Sequence, residues 1–217
     1  MKKITRFLLF AAVSFLATGC LDLTDEITLN SNGSGSYVNS MDVTKLMEQM
    51  NTLSAFDSTG QMVPNMEKSL DSTFDEVVKK YKDINGVSDV QLDKSVKNIY
   101  KVSLRFANIN VLNDVIDIDK KEDAEKKLYS WTKGKLSRKD GGVSMASDFL
   151  NGYEDNKEMM ETYLADMKYN LIYHLPGAVK KMTNNRAILS DDKKTVTLET
   201  SFSELNKSGS LMNEVKY

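Results

Sequence analysis

The chain has 217 residues, with 29 basic and 31 acidic side chains, one cysteine and one histidine. A faintly acidic balance, with its basic pairs scattered at Lys79-Lys80, Lys126-Lys127, Lys180-Lys181 and Lys193-Lys194, argues against a nucleic-acid binder. One cysteine excludes an internal disulfide, and one histidine excludes a multi-histidine zinc site.

Lys2, Lys3 and Arg6 precede an apolar run from Phe7 to Leu16, broken only by Ser14. The run is too short to cross a bilayer, which takes roughly 20 apolar residues, and has the length of a signal-peptide apolar region. Leu16-Ala17-Thr18-Gly19-Cys20 follows. This resembles a bacterial lipoprotein lipobox. Thr18 and Gly19 fit it; Ala17 departs from it, since the usual leucine stands one place earlier at Leu16. The resemblance implies cleavage before Cys20, a diacylglycerol on its sulfur and a fatty acid such as palmitate on the new amine. Several chains on one residue anchor stably, because each buried methylene adds about 0.8 kcal/mol. The competing reading is an ordinary cleaved signal with an incidental cysteine, or an uncleaved apolar start. The expected organisation is a signal peptide at 1–19, the lipidated cysteine and an acidic tether at 20–26, and a single domain at 27–217. Losing three basic residues with the signal leaves 26 against 31 acidic. Asp22, Asp25 and Glu26 loosely resemble the surface-export signals of some outer-membrane lipoproteins; a solvated linker is the plainer reading.

Ile27 and Leu29 alternate with polar residues, Asn30 to Gly35 turns the chain, and Tyr37 to Val43 returns it as a hairpin. Asp42 or Thr44 caps a helix over 43–54, with Leu46, Met50 and Leu53 on its apolar stripe. A loop runs from Ser54 to Pro64. Thr73-Phe74-Asp75-Glu76 has the form of a capping box and starts a helix to about Asp83; Leu70 to Thr73 reads either as a short strand or as an earlier helical turn. After the Asn85-Gly86 turn, Val96 to Asn108 reads as the clearest strand. Val96, Tyr100, Val102, Leu104 and Phe106 share one face, and the strand is expected at the centre of its sheet. Asn108 caps a short helix aligned on Ile109, Leu112 and Ile116. Lys120 to Lys127 is charged. Tyr129 to Ser137 is a further strand, ended by Asp140-Gly141-Gly142. Residues 144–164 read as helical, Met167 to Leu175 as a strand with Tyr169, Leu171 and Tyr173 on one face. Short strands follow at 179–183, 187–190 and 195–202, and 211–217 returns as an edge strand. The fold class is therefore α+β, an antiparallel, meander-like sheet with helices packed on one face.

Three stretches together resemble small uncharacterised lipoproteins of Bacteroidetes-type bacteria: the lipobox leading into residues 21–47, the run FANINVLNDV at 106–115, and the ending at 173–205. That resemblance implies no assigned activity and no catalytic residues. A fainter similarity, confined to the beginning of the chain, is to mycobacterial LppM-type lipoproteins, which also place a glycine-turn hairpin after the lipidated cysteine; it implies a link to lipid binding.

The candidate chemistry is sparse. His174 ends a strand and has only serine left as a nucleophile to serve. Ser130-x-x-Lys133 and Ser190-x-x-Lys193 match the Ser-x-x-Lys spacing of penicillin-recognising enzymes, but in a strand and a turn instead of a helix. Asp114, Asp117, Asp119, Glu122 and Asp123 are acidic without the glycine of a calcium loop. Met47/Met50 and Met159/Met160 read as core filling before copper ligation or an adaptable apolar pocket. No cofactor or metal is expected. The expectation is a non-enzymatic envelope lipoprotein, anchored at Cys20, most consistent with the outer membrane and without a defined face. It presents a surface to a protein partner; the alternative is a module for an apolar or lipid ligand held between helices and sheet. A filled core with an exposed apolar patch would favour the first, an enclosed apolar pocket the second, and a strongly perturbed buried carboxylate in a cleft an enzyme.

Overall fold

Strand β1 (Asp22–Leu29) runs through the middle of a seven-stranded sheet in the computed structural model, which describes residues 21–54, 62–118, 127–139, 167–201, 204 and 211–217. It is followed by β2 (Gly35–Asp42), helices α1 (Thr44–Ser54) and α2 (Met62–Lys82), β3 (Val87–Asp93), β4 (Ile99–Phe106) and α3 (Ile109–Ile116). Then come β5 (Tyr129–Thr132), β6 (Lys135–Arg138), β7 (Lys168–His174), β8 (Lys181–Met182), β9 (Ile188–Leu189), β10 (Thr195–Ser201) and β11 (Asn213–Lys216). The large sheet has the order β3-β4-β2-β1-β7-β10-β9, and β5-β6-β11-β8 form a small second sheet. Among the described residues every pairing is antiparallel except one, β1 with β7. The chain is an α+β domain, and that parallel seam makes its large sheet mixed.

Alternation along each strand sorts the side chains between the two faces. On the covered face, register aligns Tyr100, Met41, Leu23, Tyr169 and Thr200 in one row and Leu104, Tyr37, Ile27, Tyr173 and Val196 in another, all buried. Phe74 of α2 stacks on Tyr100 with ring centroids 4.6 Å apart. Tyr129 of β5 meets Tyr173 edge-on at 6.2 Å. The helices thus cover the β2–β4 side and the small sheet the β7 side. Helix α3 ties the two: its Asn113 amide donates to the Tyr129 carbonyl and accepts from the Tyr129 N–H, both at 2.8 Å. Trp131 lies against Gly33 in the hairpin turn, where a Cβ would stand 2.8 Å from the indole and φ is +84°. Only glycine suits that position on both counts.

Several expectations change. The tether is not loose: Asp22 to Glu26 belong to β1, and Leu21 and Leu23 are buried. Leu21, Leu23, Ile27 and Leu29 keep one parity, and that alternation outweighs the acidic composition. The capping box at Thr73 lies inside α2, which already begins at Met62. Pro64 is tolerated there because a first-turn N–H has no intrahelical acceptor. Thr73 Oγ1 bonds back to the Ser69 carbonyl at 2.9 Å and Glu76 pairs with Lys80 at 3.2 Å. Residues 70–73 are therefore helical. The long strand begins at Ile99, since Asn98 turns the chain with φ +64°. Val96 stands in that turn, 58 % exposed. A bulged edge strand, β3, precedes it, so β4 sits one place in from the edge. Tyr129 to Ser137 divides into the β5–β6 hairpin at Gly134 (φ +82°). Strand β11 lies between β6 and β8 and is not an edge. The Asn108 cap holds, accepting from Asn110 N at 2.9 Å. The signal at 1–19, Cys20, residues 120–126 and the expected helix 144–164 lie outside the described residues.

Candidate functional site around Asp25

The middle row of the covered face reads Val102, Asn39, Asp25, Leu171 and Leu198. A carboxylate at its centre contradicts the apolar pattern. Asp25 is half-buried, while the other four are buried. Three donors hold it. Tyr37 Oη and Asn39 Nδ2 donate to Oδ1 at 2.5 and 2.8 Å, and Tyr169 Oη donates to Oδ2 at 2.5 Å. Two of these donors come from β2 and one from β7, so Asp25 joins both neighbours of β1. A carboxylate accepts in about four directions, and three are filled. Asn39 Oδ1 is buried with no hydrogen-bond partner among the described residues.

The tyrosines continue the cluster. Tyr173 lies beside Tyr129, with hydroxyls 3.4 Å apart, and the Arg138 guanidinium sits 5.9 Å from the Tyr129 ring centroid. Burial pushes the Tyr37, Tyr169 and Tyr173 hydroxyls well above the usual phenol range, and the Asp25 charge adds to this for Tyr37 and Tyr169. Hydroxyls held this firmly protonated are donors, poor proton shuttles. What the cluster does is fix the Asp25 carboxylate between β2 and β7.

The opposite, more open face, on which the described residues are half-buried or exposed, carries a different set. Its central row is Ser103, Val38, Glu26, Ile172, Thr197 and Ile188. Val38 and Ile172 are half-buried and Ile188 is 68 % exposed. His174, at the end of β7, faces this side. Its Nε2 lies 2.9 Å from Glu26 Oε1 and its Nδ1 3.1 Å from Thr195 Oγ1. The sheet separates His174 from Asp25, since Glu26 and Asp25 point to opposite faces.

The remaining sequence candidates do not converge on either place. Ser130 and Lys133 belong to the β5–β6 hairpin; Ser190 Oγ donates to Asp192 Oδ1 within its own turn. Asp114 and Asp117 lie on and after α3, whereas Asp119, Glu122, Asp123 and the Met159/Met160 pair lie outside the described residues. Among the described residues no group of three or more His, Cys, Asp and Glu side chains could hold a metal ion. Met47 is buried in the core. Sequence reasoning placed Asp25 in a tether and missed the whole tyrosine cluster. The signal that locates it is the apolar alternation of β1, with an acid standing on the buried parity.

No family model matches the chain, so the resemblance to small Bacteroidetes-type lipoproteins has no family model behind it, and no curated protein matches either. Among solved structures, the folded domain of Mycobacterium tuberculosis LppM is similar at 10% identity and a TM-score of 0.42, over 92% of this chain and 91% of that one. At that score the likeness says nothing of activity or ligand.

Proposed function

We propose that this chain is a lipid-anchored protein of the bacterial cell envelope, held through Cys20 at the outer membrane. In this reading it binds a protein partner through its surface and is not an enzyme. The observation that supports this reading is a buried interior on one face of the sheet and, on the other, an apolar row that is half-buried at Val38 and Ile172 and exposed at Ile188. Between helices and sheet stand Leu46, Met47, Met66, Leu70, Phe74, Val77 and Tyr81, all buried. This filling weighs against an apolar or lipid ligand enclosed there. On the open face Val38, Ile172 and Ile188 form an apolar line interrupted by Glu26 and Thr197, the mix of apolar centre and polar surround that marks a partner surface.

A deletion strain with a measurable envelope phenotype tests this. Wild type and His174→Ala should both restore it at matched protein levels. A lipidated, folded Val38→Glu/Ile172→Glu variant should not. Rescue by the double variant would remove the open face from the function. Failure of His174→Ala alone would favour catalysis. The anchor is read separately: Cys20→Ala should lose fatty-acid labelling and remain unprocessed at this site.

A further inference from the structure

We infer that the domain is seated directly on the bilayer, end-on, with the β3–β4 turn touching the lipid interface beside the anchor. The inference rests on the reading that Cys20 is lipidated. Its own ground is the absence of slack. Leu21, the next residue, is 2 % exposed, and its carbonyl accepts from the Lys168 N–H at 3.1 Å. Strand β1 starts at Asp22. A lipidated Cys20 would therefore be joined to the folded sheet with no linker, and the end of the sheet bearing Leu21 could not stand away from the membrane.

Register identifies which of the described residues share that end. Asp22 pairs with Asp42 and Lys168, Asp42 pairs with Ile99, and Val43 N–H donates to the Asn98 carbonyl at 2.9 Å. The β3–β4 turn is thus level with the anchor, two strands from it, or about 10 Å sideways at roughly 4.8 Å per strand. It presents Val96, 58 % exposed, next to exposed Lys97. An apolar tip beside an ammonium suits the boundary between acyl chains and phosphates. Lys45, Lys97 and Lys168 offset Asp22, Asp42 and Glu199 at this end, so these charges balance. The opposite end carries the polar turn Asn30-Ser31-Asn32-Gly33-Ser34. The eight residues of β1 set the two ends about 26 Å apart at roughly 3.3 Å per residue. Seated this way, the sheet stands upright and its open face looks sideways along the membrane.

The test uses the full lipidated protein in vesicles of phosphatidylethanolamine and phosphatidylglycerol containing a lipid-borne quencher. With Cys20 acylated, a single new cysteine takes a fluorophore, at Val96→Cys or at Ser31→Cys. The Val96 label should be quenched several-fold more strongly than the Ser31 label. Equal quenching of a protein that carries fatty-acid label overturns the seating and leaves the anchor standing; wild type without fatty-acid label overturns the anchored reading itself. A long flexible Gly-Ser spacer between Cys20 and Leu21 should collapse the contrast. A contrast that survives the spacer shows that the short connection does not set the seating.

Discussion

Asp25 stands where alternation calls for an apolar side chain, and the three groups aimed at it need a charged acceptor. Asp25→Ala leaves Tyr37, Asn39 and Tyr169 with donors directed at nothing. An unsatisfied buried group costs about 1–3 kcal/mol, so the variant should lose on the order of 3–5 kcal/mol in urea unfolding. Adding Tyr37→Phe and Tyr169→Phe should recover part of that, since the stranded hydroxyls go with them. The tyrosines also set the alkaline limit. Their ordinary value is 10.0, and Tyr37, Tyr169 and Tyr173 are raised well above it in the fold. Above that pH the unfolded chain releases protons that the folded chain keeps. Their contribution is full below pH 10 and is lost as pH rises toward the folded values. Three such groups give a slope of about 4 kcal/mol per pH unit, measurable from urea midpoints between the neutral and alkaline range. A stability that stays flat past pH 10 would contradict the burial of these hydroxyls. At the other extreme, burial raises Asp22 above its ordinary 3.8 against the pull of Lys45 and Lys168. Asp22→Asn should gain stability at neutral pH, and the gain should fade as pH falls through that value.

Strand β1 is the element on which the others depend, and its two sides are secured differently. The β1–β2 side closes through a hairpin whose Gly35 has no room for a side chain: a Cβ there would meet the Thr28 carbonyl at 2.0 Å and Phe106 at 2.6 Å. Gly35→Ala should cost at least about 1–3 kcal/mol by overpacking, seen as a lower unfolding midpoint with an unchanged denaturant slope. The β1–β7 side is stitched on both faces, by Asp25 with Tyr169 on one and Glu26 with His174 on the other. This division marks what was legible in the sequence. The local hairpin, the Asn108 cap and the inward parity of Tyr169, Leu171 and Tyr173 all follow from residues near one another in the chain. The parallel seam does not, because nothing in 22–28 or 168–174 names its partner. The site was hidden in part for the same reason: one of its three donors, Tyr169, lies 144 positions from Asp25, and acids near a signal peptide read as solvent-facing. Val96 misled by sharing the parity of β4 across a turn that Asn98 introduces.

At the scale of the molecule, the pairing of β1 with β7 joins residues about 144 positions apart, as Asp25 and Tyr169 are. Sheets closed by such distant pairs fold slowly. Refolding from urea should therefore take milliseconds to seconds. Trp131, packed on Gly33 and donating to Tyr217 Oη at 2.7 Å, reports the arrival of the small sheet; its fluorescence should recover together with the far-ultraviolet signal of the large one. Recovery within microseconds would mean that the seam forms no part of the rate-limiting step. The central place of β1 also has a mechanical meaning. A pull applied at residue 20 enters the fold along the axis of β1, which is hydrogen-bonded on both edges over nearly its whole length. The load is then shared in shear by two ladders at once, so no single pair opens first as it does when an edge strand is peeled. If lipid holds that residue, the acyl chains, gripped only by the bilayer, are the part that yields, and the domain comes away from the membrane still folded.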